Sequence, residues 1–186
     1  MKIPHMNLPN LITIFRIFLI PVYLFFFYSN MKNRILFAGM AFILAGISDI
    51  LDGQIARKHN LVSKLGIVLD PFADKMMTFA VLISFTTAKL IPGWILIAIG
   101  IKELLMICGG AVLYLFKGKQ VLPSNKFGKV ATLSFYAATL SIVFHLPYII
   151  STILFVLTVI LNLAAFINYL IIFLSLGKNN EKLVDK

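Results

Sequence analysis

The stretch D-I-L-D-G-Q-I-A-R, Asp49 to Arg57, is followed after eight residues by G-I-V-L-D-P-F-A-D, Gly66 to Asp74. Together they hold Asp49, Asp52, Asp70 and Asp74, four of the seven acidic residues in a chain of 186, inside a 26-residue window that is otherwise largely apolar. A carboxylate is expensive in a hydrocarbon environment. A group of them inside apparent membrane helices therefore marks a functional site by default, usually one that neutralises itself by holding cations.

The surroundings of this window set the fold class. The chain is 60% hydrophobic with 17 Phe and only 13% charged residues, far from the roughly 25% charged residues of a soluble domain. Apolar runs of about 20 residues, enough to cross a bilayer, occur near 10–29, 34–56, 65–88, 93–116, 128–147 and 149–176. The sequence thus predicts an all-α integral membrane protein with six transmembrane helices. Arg16 interrupts the first run and no small-x-small cleavage site follows residues 25–30, so this run is expected to stay as a helix rather than to be a signal peptide. No repeat, low-complexity tract or linker divides the chain. One domain over 1–186 is expected, with a polar tail over 176–186 (GKNNEKLVDK after Leu176) that is frayed or a short interfacial helix.

Basic residues orient the helices. With the N-terminus in the cytoplasm, the inside segments carry Lys2, Arg57, Lys58, Lys64, Lys117, Lys119, Lys126, Lys129, Lys178, Lys182 and Lys186, and the outside loops only Lys32, Arg34 and Lys89. Both termini are predicted to be cytoplasmic, and the acidic window flanks the cytoplasmic loop between the second and third helices. The net charge of +10 reads as this bias plus attraction to anionic lipid, with no sign of nucleic-acid binding. The single Cys108 has no disulfide partner and no companions for a thiolate metal site, and reads as packing. Trp94 and Tyr148 read as interfacial anchors, and His5, His59 and His145, near helix ends, as interfacial residues rather than ligands. Pro71 is expected to kink the third helix beside Asp70.

At about 100° per residue, Asp49, Asp52, Gly53, Ala56 and Arg57 fall within an arc of roughly 140° on the second helix. Gly66, Asp70 and Asp74 form a stripe on the third. The two helices run in opposite directions, and with a rise of about 1.5 Å per residue the hairpin brings both carboxylate pairs to similar depth, all eight residues facing one cavity, with Arg57 nearer the water. Four convergent carboxylates raise one another's pKa unless cations intervene. All-oxygen ligation without Cys or convergent His points to two Mg²⁺ or Mn²⁺ ions, and Mg²⁺ is commonly completed by substrate phosphate. Gly53, Ala56 and Gly66 would let a diphosphate approach the backbone, and Arg57 can grip phosphate with its planar fork. Taken singly, the small residues equally suit close helix packing, and paired aspartates equally suit a proton relay or a cation transporter. A transporter has no obvious use for Arg57 and the two glycines, and an inert scaffold has no reason to keep four intramembrane acids.

In its fixed positions this pattern resembles the signature of the CDP-alcohol phosphatidyltransferases, D-x(2)-D-G-x(2)-A-R-x(8)-G-x(3)-D-x(3)-D, matched by Asp49, Asp52, Gly53, Ala56, Arg57, Gly66, Asp70 and Asp74. The resemblance implies six transmembrane helices, a homodimer in the cell membrane with its active site facing the cytoplasm, and transfer of a phosphatidyl group from CDP-diacylglycerol to an alcohol with release of CMP. It implies that the four aspartates bind two divalent ions, that Asp74 is also the catalytic base, and that Gly53, Ala56, Arg57, Ser63 and Gly66 form the CDP-diacylglycerol pocket. The segment N-L-P-N-L-I-T-I-F-R (Asn7 to Arg16) and L-D-P-F-A-D-K (Leu69 to Lys75) look like those of the branch that makes phosphatidylglycerophosphate, whose acceptor is glycerol 3-phosphate. Lys75, Lys102, Lys126 and Lys129 are candidates for holding the acceptor phosphate. Positive-inside bias is the alternative reading for Lys126 and Lys129, and an ion pair with Glu103 for Lys102. Two departures stand out: Lys102-Glu103 replaces the usual Arg-Glu of that branch, and G-K-V-A-T (Gly128 to Thr132) replaces G-K-x-K-T. The Ala131 pattern is also similar to that of CDP-alcohol-type cardiolipin synthases, whose acceptor is phosphatidylglycerol.

Overall fold

A computed structural model describes residues 8–58, 66–116 and 126–184, and they form six α-helices. These are α1 (Leu8–Tyr28), α2 (Arg34–Lys58), α3 (Gly66–Thr87), α4 (Gly93–Phe116), α5 (Lys126–Val143) and α6 (Tyr148–Val184). Each coincides with one of the six apolar runs. Two compact units divide them, one through Ala88 and one from Lys89 onward.

In the first unit α1 is central, packed along α2 and against α3, while α2 and α3 make few contacts with each other among the described residues. The reason lies in side-chain spacing. Thr13, Arg16, Ile20, Tyr23 and Phe27 recur every three or four residues and are all buried, whereas Leu11, Phe15, Phe18 and Phe25 on the other faces are exposed. On α2 the buried stripe is Ala38, Ala41, Phe42, Ala45, Ser48 and Asp52. Its small residues let two membrane helices approach closely. Asp52 of α2 meets Thr13, and Phe37 lies against Phe26 with ring centroids 5.6 Å apart, so α1 and α2 are antiparallel. Asp70 also meets Thr13, whereas Thr87 bonds the Tyr28 hydroxyl at 2.9 Å, so α3 runs parallel to α1. The unit consequently has a polar end, at Thr13 and Arg16, and an aromatic end, where the Phe27 ring lies 5.8 Å from those of Tyr23 and Phe85.

In the second unit α6 packs along α5 and against α4. Phe135 meets Phe155 edge to face, and Ser141 Oγ lies 2.9 Å from Ser151 Oγ between α5 and α6. The fifth helix ends at Val143 rather than at the predicted 147. His145 adopts a left-handed conformation (φ 56°), its N–H bonds the Ile142 carbonyl, and the Leu146 N–H reaches back to Ser141. This is the Schellman arrangement that closes a helix, with Pro147 then barring continuation. His145 is therefore a capping residue as well as an end residue. The tail after Leu176 continues the backbone of α6 to Val184 and is not frayed. The third helix continues across Pro71 without a break.

Apolar side chains cover the outer faces as well as the core, and several polar groups are buried among them. Thr13, Arg16, Ser48, Asp52, Ser84, Glu103, Thr139, Ser141, Ser151, Thr158 and Asn162 are buried, while Phe18, Phe25, Ile97, Leu133, Ile149 and Ile171 are each at least 60% exposed. In hydrocarbon, polar groups must find partners inside the bundle and apolar groups need none. Among the described residues three helices are long and apolar enough to span a bilayer, over Leu11–Tyr28, Arg34–Ile55 and Tyr148–Ile171. In α3 the charges of Asp70, Asp74 and Lys75 crowd the N-terminal half and shorten the apolar stretch that follows.

The cap at His145 is open to test. A β-branched residue is strained in the left-handed region, and an L-residue there costs roughly 1–2 kcal/mol. His145→Val should lower the melting temperature in detergent, whereas His145→Gly should leave it unchanged or raise it.

Candidate active site at the polar end of the first unit

The site grows from α1. Arg16 is the only basic residue between Leu8 and Tyr28, and 2% of it is exposed. Its guanidinium reaches two carboxylates one helical turn apart on α2: Nη1 lies 2.6 Å from Asp49 Oδ1, and Nη2 donates to Asp52 Oδ2. Asp52 is buried and Asp49 half-exposed. A planar fork suits this bridging, because its donors point in fixed directions and it is weakly hydrated for a cation. One turn earlier, Thr13 Oγ1 donates to Asp70 Oδ1 at 2.6 Å and lies 3.4 Å from Asp52 Oδ2. Asp74 lies one turn beyond Asp70 on α3.

The connection between the two acidic helices thus runs through α1. The sequence predicts that the hairpin brings the carboxylate pairs to similar depth, and Asp52 and Asp70 do both reach Thr13, with α1 rather than direct α2–α3 packing making most of the contact among the described residues. Thr13 and Arg16 were not read as site residues from the sequence. The available signal was a lone cation within an apolar run, in a chain whose acids are also clustered in apolar sequence, with Thr13 three residues before it on the same helix face.

The other candidates fall as follows. Asp74 is partly exposed, with Lys75 Nζ 3.7 Å from its Oδ2. Gly53 follows Asp52 on α2, Ala56 and Arg57 lie near the end of that helix, and Gly66 opens α3. Ser63 lies outside the described residues. Lys102, Lys126 and Lys129 belong to the second unit. Lys102 is largely buried and donates to Glu103 Oε1 at 2.8 Å, the ion pair that had been the alternative reading for it. Lys126 opens α5, Lys129 is exposed on its first turn, and Ala131 is buried.

Among the described residues no three acidic, His or Cys side chains stand close enough to chelate one metal ion. The chemistry of the donors nevertheless suits a hard cation: they are carboxylate oxygens, brought together without sulfur or imidazole. Arg16 offsets part of their charge. The remaining carboxylates leave a net negative site.

A profile of the CDP-alcohol phosphatidyltransferase family matches residues 6–169, a range that includes the whole of this site. A Rickettsia bellii protein named CDP-diacylglycerol–glycerol-3-phosphate 3-phosphatidyltransferase is 48% identical over 83 residues, 45% of either chain. An Aquifex aeolicus protein of the same name is 31% identical over 173 residues, covering 88% of this chain and 94% of that one. A Mycobacterium tuberculosis protein provisionally named cardiolipin synthase is 32% identical over 131 residues, 70% of this chain and 61% of that one. The aligned segment spans less than half of the Rickettsia protein and nearly all of the Aquifex one. With its aspartates gathered at one end of a helical unit whose outer faces are apolar, and the family profile extending across both units, this chain belongs to the CDP-alcohol phosphatidyltransferase family.

Proposed function

We propose that the protein transfers a phosphatidyl group from CDP-diacylglycerol to glycerol 3-phosphate, giving phosphatidylglycerophosphate and CMP in phospholipid synthesis. The observation that carries this reading is the gathering of Asp49 and Asp52 of α2 with Asp70 of α3 around Thr13 and Arg16, in helices whose outer faces are apolar. The names of the Rickettsia and Aquifex relatives support the acceptor.

All six helices span the membrane, both termini are cytoplasmic, and the polar end of the first unit faces the cytoplasm of the cell. The positive-inside count supports this orientation. The chain is read as one catalytic domain over 1–186, a reading supported by the family match over residues 6–169. The enzyme works as a homodimer, a reading that rests on the family resemblance.

Asp49, Asp52, Asp70 and Asp74 would hold two Mg²⁺ or Mn²⁺ ions, which when bound polarise phosphoryl oxygens and stabilise the departing CMP. Arg57 grips the diphosphate, and Gly53, Ala56, Ser63 and Gly66 shape the pocket around the CDP moiety. The acceptor hydroxyl attacks the phosphorus that carries diacylglycerol. Its proton passes to Asp74 as that bond forms, and the phosphorus–oxygen bond to CMP breaks. The lipid tails stay in the bilayer beside the exposed apolar faces. Lys75, Lys102, Lys126 and Lys129 are the candidates for the acceptor phosphate; of these Lys102 bonds Glu103 and Lys75 lies near Asp74.

The test is CMP release by the purified protein with CDP-diacylglycerol and Mg²⁺, comparing glycerol 3-phosphate, inositol phosphate, serine and phosphatidylglycerol as acceptors. Release with glycerol 3-phosphate is expected. Release with phosphatidylglycerol alone would favour the cardiolipin synthase reading, to which Ala131 and the Mycobacterium relative point. Release with none of these, together with metal-dependent cation flux in liposomes, would favour a transporter.

Three variants refine the assignment. Asp70→Asn should lower turnover at least about 100-fold, as loss of a group that stabilises transition-state charge typically does. Near-normal turnover by the folded variant would remove the metal assignment. Asp74→Asn should abolish transfer while CDP-diacylglycerol binding persists, and Arg57→Ala should weaken that binding, with binding measured separately from turnover. Lys129→Ala should raise the KM for glycerol 3-phosphate much more than that for CDP-diacylglycerol, an expectation that steady-state kinetics with each substrate varied will check.

A further inference from the structure

We infer that Thr13 and Arg16 of α1 are positioning residues for this reaction, setting the spacing between the carboxylates of α2 and the carboxylate of α3 that receive the divalent ions. The inference rests on the functional reading above and adds a role that the aspartate motif does not contain.

Three observations carry it. First, α2 and α3 barely contact each other, whereas both pack on α1. Direct helix packing therefore does little to fix Asp70 relative to Asp49 and Asp52 among the described residues. Second, α1 touches each of the three aspartates through one carboxylate oxygen: Arg16 Nη1 at Asp49 Oδ1, Arg16 Nη2 at Asp52 Oδ2, and Thr13 Oγ1 at Asp70 Oδ1. An ionised carboxylate offers about four lone-pair sites, so an anchor on one oxygen leaves capacity for a cation. Third, Arg16 and Thr13 are 2% and 1% exposed, and among the described residues neither Nε nor Nη1 of Arg16 makes a hydrogen bond, Nη1 standing only in the ion pair with Asp49. A guanidinium buried this deeply with a donor unspent is held by its carboxylates, and packing alone gives no reason for a charge there.

Partners of this outer kind hold ligating carboxylates at a fixed angle, and their loss commonly lowers metal affinity about 10- to 100-fold. Thr13 separates orientation from charge. It carries none, so an effect of its hydroxyl on metal affinity is not an effect of lost charge.

The experiment uses the full chain in nanodiscs containing CDP-diacylglycerol, without acceptor, titrated with Mn²⁺ and followed by electron paramagnetic resonance. Thr13→Val keeps the shape and removes the hydroxyl, and Thr13→Ser keeps the hydroxyl and removes the methyl. Thr13→Val should weaken Mn²⁺ binding about 10-fold or more, Thr13→Ser should stay near wild type, and the melting temperature of both without metal should differ little from that of wild type. Arg16→Gln should weaken Mn²⁺ binding as well, with partial recovery in Arg16→Lys. Wild-type affinity in Thr13→Val, or a greater loss in Thr13→Ser than in Thr13→Val, overturns the inference while leaving the functional reading intact. Failure of the wild type to bind Mn²⁺, or of Asp70→Asn to weaken it, overturns the metal reading itself and the inference with it.

Discussion

Burying carboxylates among apolar helices is the constraint on which the first unit depends. Asp52 is almost wholly buried, and its uncompensated charge would oppose folding by several kcal/mol. Arg16 answers this with one guanidinium shared between Asp49 and Asp52. The arrangement requires α1 to pass close to α2, and the alanines at 38, 41 and 45 provide the close approach. The chemistry at one end of the unit and the small-residue packing farther along it are thus two parts of one solution.

The directions of the helices follow from the same contacts. Because α3 is parallel to α1 and α2 is antiparallel to it, the start of α1, the end of α2 and the start of α3 lie at a single end. Polar residues gather there and aromatic residues at the other. An enzyme acting on a lipid with a water-soluble head needs this polarity, since its reacting groups must be near water while the acyl chains remain in hydrocarbon. The apolar outer faces, with polar threonine and serine side chains buried behind them, serve the same end in both units.

Much of this was legible in the sequence, for identifiable reasons. Hydrophobic run length marks a membrane helix strongly, and the six runs match the six helices at most of their ends. The exceptions have local causes: α5 stops early because His145 takes a left-handed cap before Pro147, a backbone choice that composition does not announce, and α6 runs on because GKNNEKLVDK contains no proline to stop it. The aspartate spacing read correctly onto two helices. What the wheel of each helix could not show was that a third helix stands between them. Pairing between Arg16 and Asp49 spans 33 positions of sequence, and periodicity within one helix carries no information about such partners.

The acceptor question turns on which cations are already engaged. Lys102 reads from sequence either as a phosphate ligand or as one half of an ion pair with Glu103, and its ammonium does bond Glu103 Oε1, at 2.8 Å. Lys75 lies 3.7 Å from Asp74 with both side chains about one third exposed. At that exposure this ion pair adds little to stability. Lys126 and Lys129 sit on the first turn of α5, where the helix dipole adds to any positive charge. Ala131, buried one turn further on, faces the packing of the second unit. A basic residue at that position would have to be accommodated in the helix packing. Its absence does not remove the two lysines ahead of it, and on this ground a phosphorylated acceptor remains the better match to the chain than a second lipid.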